Sequence, residues 1–435
     1  MQKLMRLPGA RLVGHAALVL VIWLALTWVN GNVDPLLNYY IALAAMYATA
    51  RFGMGILVGL SGQVSLGNGA LMAIGGYAFA LVTINWQTIP FTSIPMNEAW
   101  AILFAAVGGV LFGLLIGVLG ARLRGPYLAG LTLGIAVGIP AIANRFPDLF
   151  GGETGLQLTV PYPEGGYAPV AEEGGGEFIE DIPTDQEALP SDAASVSPDD
   201  LLTVDNFPSS DAASVSPDDL LTVDNFPSSD ASSVPDVSGV DVSGTDVSGG
   251  VDSIDAGFIL ERWQAGMAVA VACIVAFIAL NLVRGRQGRV WKAVRDDPVA
   301  AAVSGISPAT SKVTAFMISS VFAALAGAVF VQILSYVGPG AFGLGLSLSL
   351  LVGVVLGGRS SLVGAVIGAV LLVWLPEFIL SLSSDRGWSE QITNNAPNLI
   401  YGLLVVLVVL IAPGGIVGTL QALVAKAASK ASRNG

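Results

Sequence analysis

The sequence contains one cysteine and one histidine among 435 residues, which limits the chemistry that it can support. A single thiol cannot form a disulfide framework, and Cys273 lies inside a long apolar run. His15 lies in another apolar run without a second metal ligand at a metal-site spacing, so we expect both residues to be passive. The sequence also lacks the zinc-hydrolase pattern H-E-x-x-H and the phosphate-binding loop G-x-x-x-x-G-K-[ST]. These absences predict a protein that is not an enzyme and has no metal, no cofactor and no ATP site of that type.

Charged residues are also scarce. They make up 12% of the chain, whereas a soluble domain averages about 25%. Hydrophobic residues make up 54%, the mean hydropathy is +0.72, and several apolar runs approach the roughly 20 residues that cross a bilayer. This composition predicts an all-α polytopic membrane protein. The few cations are spread over the loops instead of forming one patch, so nucleic-acid binding is not expected.

The order of the apolar runs predicts about ten transmembrane helices. The eighth is too short to cross as a straight helix and is expected to be tilted or re-entrant. When the N-terminus is placed in the cytoplasm, nearly all lysines and arginines fall on the inner side, as the positive-inside rule requires. Both termini are therefore expected in the cytoplasm. The predicted spans are 12–29, 36–58, 66–84, 100–120, 127–143, 263–283, 313–335, 345–357, 361–381 and 398–412.

One region departs from this membrane pattern. Residues 144–262 carry 25 acidic residues and two arginines, whereas the rest of the chain carries 7 acidic and 17 basic residues. Within this region Asp192–Ser210 recurs without change as Asp211–Ser229. Two copies with few apolar residues cannot build a stacked repeat core, and low hydrophobicity with high charge favours disorder over a folded or ligand-binding module. The carboxylates offer ligands for calcium, but the 12-residue EF-hand pattern is absent.

These observations divide the chain into four parts. An acidic, low-complexity and disordered insert is predicted on the extracytoplasmic side, between two transmembrane halves. The predicted parts are an N-terminal half at 1–156, the insert at 157–257, a C-terminal half at 258–415 and a cytoplasmic tail at 416–435.

The longest basic segment between two apolar runs extends from Arg284 to Lys312, and we call it the basic segment. It holds six of the nineteen lysines and arginines. Its inner part predicts a short capped helix, because Asp297 suits the N-cap, Pro298 suits the first helical position and Gly305 can end the helix in a left-handed conformation. Such a helix indicates docking to another protein, and the alternative is a plain loop that obeys the positive-inside rule.

The order of residues in the basic segment resembles a known family. The matching residues are Gly288, Arg289, 293–297, Ala300, Ala301, Gly305, Ile306, Lys312, Ala315, Phe316 and 323–328. The segment resembles the coupling loop of ABC importer permeases, and it is most similar to the LivH/LivM family of branched-chain amino acid permeases, in which this loop presses into a groove on the ATPase subunit. The resemblance covers about 36–156 and 284–412. It implies that the ATPase is contacted by Arg289, Arg295, Asp296, Asp297, Ala300, Ala301 and Gly305, with Ala300 and Ala301 at the contact.

A second segment, Gly59–Tyr77, mixes glycines with polar residues, and we call it the glycine-rich segment. Polar residues and flexible backbone at membrane depth are tolerated only in a protein interior or beside a water-filled path. A plain loop between two spans is the alternative. The segment also resembles the signature of LivM-type members of the family, although Asn68 stands where they often have histidine. The resemblance implies a candidate translocation path at Gly62, Gln63, Ser65, Gly67 and Asn68.

The spans also contain regularly spaced glycines and one arginine. Glycines recur every four residues at 109, 113 and 117, at 130, 134 and 138, and at 364 and 368. This spacing lines one helix face with small residues, so it predicts close helix packing rather than a function. Arg51 in the second span needs a buried partner or access to water.

Two functions remain after these exclusions. The resemblance implies a permease subunit of an ABC importer in a prokaryotic plasma membrane, which carries leucine, isoleucine and valine inward. Its partners would be cytoplasmic ABC ATPase subunits, a LivH-like second permease subunit, an extracytoplasmic solute-binding protein and membrane lipid. Relatives in the family carry urea, amides or other amino acids. The alternative is an ion-coupled secondary transporter, which usually has charged residues within its spans, and the clearest acid near a span here is Glu377.

Overall fold

The computed structural model describes residues 8–86, 98–123, 126–158, 248–358 and 361–386, together with scattered positions between 396 and 420. The chain divides into two units, one formed by 1–167 and 250–435 and the other by 168–249. Nearly all of the second unit lies outside the described residues. The disorder predicted for the insert at 157–257 therefore concerns a region of which only the two ends are described.

The described residues are mainly helical. A π-helical turn at Gly55–Leu60 continues the second helix, and 3-10 turns lie at Gly152–Thr154 and Pro339–Phe342. The elements are α1 (Pro8–Asn30), α2 (Pro35–Met54), α3 (Asn68–Asn85), α4 (Glu98–Ala121), α5 (Pro126–Arg145), α6 (Pro147–Phe150), β1 (Leu156–Gln157), α7 (Ser248–Arg284), α8 (Arg286–Asp296), α9 (Pro298–Val303), α10 (Pro308–Leu334), β2 (Tyr336–Val337), α11 (Leu344–Gly357) and α12 (Leu362–Arg386).

Nine segments of the described part are long and apolar enough to cross a membrane. They agree with the first nine predicted spans, so the all-α polytopic membrane fold is confirmed. The tenth predicted span, 398–412, lies largely outside the described residues. The eighth span is longer than predicted, because the 3-10 turn at Pro339–Phe342 precedes α11.

Helix α10 lies at the centre of the bundle and contacts α2, α3 and α4. It begins at Pro308, and the Oγ of the preceding Ser307 accepts a hydrogen bond from the N–H of Thr310 at 3.4 Å. Its alanines at 323, 324, 326 and 328 are fully buried. Since lipid tails are as apolar as the side chains, close approach of small residues and good packing stabilise such a bundle.

Two of the three glycine patterns pack as predicted. A Cβ atom built on Gly109 would lie 2.8 Å from the Cβ of Ala324 in α10. Gly364 of α12 lies directly against the backbone of Gly357 in α11. For the α5 glycines at 130, 134 and 138 the prediction is wrong within the described part of the chain, because a Cβ there would meet nothing within 4 Å.

Helix α7 begins at Ser248, so the boundary predicted at residue 257 falls inside a helix. In the sequence, Val251, Ile254 and Phe258 recur at intervals of three and four residues, which suits a helix. At the end of the bundle where α5 ends and α10 ends, β1 pairs antiparallel with β2, with Leu156 opposite Val337. This pairing anchors the chain just before the undescribed part of the insert.

Candidate functional site

The basic segment forms two short helices, α8 and α9, that meet at Asp297. The Asp297 carboxylate accepts hydrogen bonds from the backbone N–H groups of Val299 at 2.9 Å and Ala300 at 3.0 Å. Pro298 occupies the first helical position. Asp297 is therefore the N-cap that the sequence predicts, and it satisfies donors that have no partner within the helix.

Helix α9 ends at the glycine that the sequence predicts. Gly305 has φ +82°, which is the left-handed region that favours glycine. The N–H of Gly305 donates to the carbonyl of Ala302 at 3.0 Å, and the N–H of Ile306 donates to the carbonyl of Ala301 at 3.0 Å. These two bonds form a Schellman motif, so both ends of this six-residue helix are fixed by specific residues.

Helix α8 packs on the bundle through one face. Gly288, Trp291 and Val294 are buried at intervals of three residues, and Trp291 is fully buried. The indole N–H of Trp291 donates to the Oγ1 of Thr314 in α10 at 3.4 Å. Arg289 lies on the exposed face. No sequence prediction concerned Trp291, although its spacing of three residues from Gly288 and Val294 was the signal for a buried face.

Helix α9 presents an apolar face to its surroundings. Val299 is 72% exposed and Val303 is 86% exposed, and they lie one turn apart on the same side of the helix. Ala300 is also exposed, whereas Ala301 is buried against its own chain. Ala300 and Ala301 were predicted to lie together at the ATPase contact, but only Ala300 is exposed. Exposed valines on a segment outside the apolar spans are typical of a docking surface.

After the π-helical turn, the glycine-rich segment alternates between buried and exposed residues. Ser61, Gln63 and Ser65 are buried, whereas Gly62 and Val64 are exposed. The Nε2 of Gln63 donates to the Oγ of Ser61 at 2.6 Å. The polar side chains therefore face the protein interior, as the sequence analysis expects for residues at membrane depth.

The segment continues into α3 beside α5. The Oγ of Ser65 accepts a hydrogen bond from the N–H of Gly67 at 3.3 Å. Gly67 approaches α5 closely, since a Cβ on it would lie 2.8 Å from the carbonyl oxygen of Thr132. Asn68 follows as the first residue of α3 and is fully buried. Among the described residues neither amide atom of Asn68 has a hydrogen-bond partner, and such a group costs about 1–3 kcal/mol unless water or a solute satisfies it.

The two predicted sites meet at Arg295. Its Nη1 donates to the carbonyl oxygen of Gly59 at 2.6 Å. A Cβ on Gly62, which has φ +71°, would lie 2.6 Å from the Cγ of Arg295. In addition, the Nε2 of Gln63 donates to the carbonyl of Lys312 at 3.2 Å. The basic segment and the glycine-rich segment are therefore in direct contact at three points.

A cavity of about 440 Å³ lies at this junction. Its walls include Gln63 from the glycine-rich segment, Leu128 from α5 and Arg295 from α8. The Nε and Nη2 atoms of Arg295 also donate to the carboxylate of Asp296 at 2.9 and 2.8 Å. Because this ion pair is largely exposed, we expect it to orient the guanidinium rather than to add much stability.

Arg51 is fully buried in α2, beside α11 and α12. Its Nη2 donates to the carbonyl of Ser349 at 3.3 Å. The guanidinium lies directly over Gly353, and a Cβ on Gly368 would lie 3.0 Å from its Nη1. The buried partner that the sequence analysis expects is therefore provided in part by the backbone of α11.

One buried acid escaped the sequence analysis, which singled out Glu377. Glu98, at the start of α4, is only 5% exposed, and its Oε2 accepts a hydrogen bond from the Nε2 of Gln332 at 3.2 Å. The carbonyl of Gln332 in turn accepts a bond from the Nε2 of Gln264 at 2.9 Å. Glu377 is partly buried. An acid at the start of an apolar run gives no sequence signal that separates a buried carboxylate from an exposed one.

Two curated proteins resemble most of the chain. It is 27% identical over 367 residues to the high-affinity branched-chain amino acid transport system permease protein LivM of Escherichia coli strain K12, an alignment that covers 82% of this chain and 66% of that protein. It is 26% identical over 339 residues to the LivM protein of Salmonella typhimurium, which covers 76% of this chain and 60% of that protein. The chain therefore spans less than two thirds of the length of these relatives.

One further permease matches a shorter part of the chain, and a family model matches most of it. The autoinducer 2 import system permease protein LsrC of Escherichia coli O9:H4 is 33% identical over 125 residues, which is 27% of this chain and 36% of that protein. No solved structure matches the chain. The model of the family described as branched-chain amino acid transport system / permease component matches residues 36–170 and 220–413, which include both predicted sites. Since this match covers well over half of the sequence, the chain belongs to the family of branched-chain amino acid transport system permease components.

Proposed function

We propose that this chain is the permease subunit of an ABC importer that carries branched-chain amino acids into the cell. The family and the names of its LivM relatives support this cargo. In this proposal, cytoplasmic ABC ATPase subunits hydrolyse ATP, a LivH-like second permease subunit completes the path, and an extracytoplasmic binding protein delivers the amino acid. The basic segment and both termini then lie in the cytoplasm, as the distribution of cations favours.

The observation that carries the proposal is the contact between the two predicted sites. The ATPase would bind the exposed face of α9 formed by Val299, Ala300 and Val303, while Ala301 packs behind it. A movement of α8 and α9 would then act on the glycine-rich segment through Arg295 and the carbonyl of Gly59. A partner shifts a conformational equilibrium only if it contacts the two states differently, so the ATPase contact on α9 would differ between the two states and the junction would pass the change to the glycine-rich segment.

The first variant tests whether the ATPase docks on α9. Val303→Glu places an unpaired carboxylate in the proposed ATPase contact and is expected to reduce co-purification of the ATPase by roughly tenfold or more. Gln287→Glu adds the same charge to the exposed side of α8 and serves as the control. The measurement is the amount of ATPase that co-purifies with each variant when all the subunits are expressed together.

A second variant in the same experiment tests the junction. Arg295→Ala removes the bond to Gly59 but leaves the valine face of α9 in place. It is expected to keep the ATPase bound and to reduce leucine uptake per ATP hydrolysed in proteoliposomes with loaded binding protein. Normal ATPase binding by Val303→Glu would show that α9 is not the docking surface. Normal uptake by Arg295→Ala would show that the junction does not couple.

The buried Glu98 favours a second candidate function, an ion-coupled secondary transporter. Carboxylates buried within membrane helices often carry protons or sodium ions. The test is uptake of leucine by proteoliposomes under a proton or sodium gradient without ATP. We expect no uptake under these conditions, and we expect Glu98→Gln to retain most ATP-driven uptake. Gradient-driven uptake that Glu98→Gln abolishes, and that Glu377→Gln retains, would establish the secondary transporter instead.

A further inference from the structure

Helix α1 packs against α7 at two places, near its two ends. At one end the Nδ2 of Asn30 donates to the carbonyl of Arg262 at 2.8 Å. At the other end, where the basic segment begins, His15 and Asn281 are joined by a hydrogen bond of 3.0 Å between Nδ1 and Oδ1. None of the most apolar window of α1, within Leu12–Asn30, is buried in the described structure. Within the described part of the chain, α1 is therefore held mainly by polar contacts near its ends, and its sides are left open.

An apolar groove lies between these two contacts. Its volume is about 420 Å³, and among the described residues it is bordered by α1 and α7 alone. On α1 it follows one face from Ala16 to Trp23, and on α7 it follows one face from Ala270 to Phe277. The groove thus runs parallel to both helices over about 10 Å of helix length.

The lining of the groove is apolar, and the groove follows both helices along their length. An extended hydrocarbon chain fits a long, narrow and apolar space, and acyl chains surround any exposed span in a membrane.

The end of the groove near the basic segment carries a cation. In α7, Asn281 lies one turn after Phe277, and the exposed Arg284 lies about one turn after Asn281. The Nη1 of Arg284 lies 3.0 Å from the Nε2 of His15. Because an arginine always donates, His15 accepts this bond, and its protonated Nδ1 donates to Asn281. His15 therefore contacts the guanidinium of Arg284 near the end of the groove.

We propose that this groove is a binding site for an anionic phospholipid. One acyl chain lies between α1 and α7, and the phosphodiester headgroup binds Arg284 at the membrane surface. A guanidinium suits this partner because its fork of N–H donors matches the geometry of a phosphate. The site is independent of the transported solute, and it places a lipid contact directly before Gly285, where α7 ends and the basic segment continues into α8.

The test counts the lipids that remain bound to the purified full chain in native mass spectrometry. The protein in detergent is titrated with phosphatidylglycerol or with phosphatidylcholine that has the same acyl chains. We expect one phosphatidylglycerol molecule to be retained in preference to phosphatidylcholine. Arg284→Gln is expected to lower the affinity for phosphatidylglycerol about fivefold, which corresponds to one basic residue at a lipid surface. Arg284→Lys is expected to have an affinity between those of the parent and Arg284→Gln, because it keeps the charge but loses the fork of N–H donors.

Two matched pairs of variants separate the site from general charge and general apolar contact. Arg289→Gln removes an exposed cation from α8 and is expected to have little effect, since α8 does not border the groove. Ala270→Phe fills the groove and is expected to displace the lipid, whereas Ile278→Phe enlarges a side chain outside the groove and is not. Equal retention of both lipids, equal losses in Arg284→Gln and Arg289→Gln, or full retention in Ala270→Phe would each overturn the proposal.

Discussion

Helices α4 and α5 carry the same sequence pattern and have opposite surroundings. Each has three glycines spaced four residues apart, at 109, 113 and 117 in α4 and at 130, 134 and 138 in α5. In α4 the stripe faces α10, and Cβ atoms built on the first two glycines would lie 2.8 and 2.5 Å from side-chain atoms of α10. In α5 a Cβ at any of the three positions would meet nothing within 4 Å of the described structure.

The comparison distinguishes two properties of a glycine stripe: whether its face can be approached closely, and whether another helix does approach it. The spacing determines that one face of the helix has no side chains and can be approached closely. Whether a helix does approach depends on the arrangement of the other spans, which the stripe itself does not encode. In α4 the small residues of α10, such as Ser320 and Ala324, provide the matching surface. The two stripes therefore predict opposite responses to the same substitutions.

The largest effect is expected from Gly109→Leu. The added side chain would start 2.8 Å from the Cβ of Ala324 and 2.9 Å from the Cα of Val321, and backbone atoms cannot move aside without separating the helices. We expect a loss of at least about 3 kcal/mol of stability, at the upper end of overpacking costs. The measurement is the yield of monodisperse protein in detergent. Gly130→Leu on α5 is the control and should leave the yield unchanged; equal yields would mean that the α4–α10 contact is not tight.

A smaller loss is expected from Gly113→Ala. One methyl group would lie 2.5 Å from the Cβ of Ser320, and carbon atoms pack at about 3.5–4.0 Å, so α4 and α10 must separate by about 1 Å. We expect a cost of about 1–3 kcal/mol and a lower midpoint of thermal unfolding. Ser320→Gly removes the opposing Cβ, so the double variant should recover part of the loss in a double-mutant cycle. Additive losses would place the strain elsewhere.

The sequence predicted the parts of this molecule that local chemistry determines. Asp297, Pro298 and Gly305 define the ends of α9 through their own hydrogen bonds and conformations, and the structure confirms all three. The nine spans follow from runs of apolar residues, because the bilayer imposes a fixed length on them. In both cases the information lies within about 25 consecutive residues and needs no knowledge of the rest of the fold.

The parts that the sequence did not predict depend on distant residues. The contact of Arg295 with Gly59 joins positions 236 residues apart, and no local pattern marks it. The burial of Ala301 but not Ala300 depends on the side of α9 that rests on the bundle. The buried Glu98 accepts a hydrogen bond from Gln332 of α10, which is 234 residues away in the sequence. Periodicity identifies a face, and only the packed bundle determines which face is covered.

The smallest effect, with the opposite sign, is expected from Gly134→Ala in α5. The new methyl group meets nothing within 4 Å of the described structure, so it introduces no clash. Alanine also has less backbone freedom than glycine in the unfolded chain, which stabilises the helix by about 0.4–1 kcal/mol. We expect the midpoint of thermal unfolding in detergent to rise slightly, while Gly113→Ala lowers it under the same conditions. If Gly134→Ala lowers the midpoint as well, a part of the chain outside the described residues packs on α5, and the contrast between the two stripes is lost.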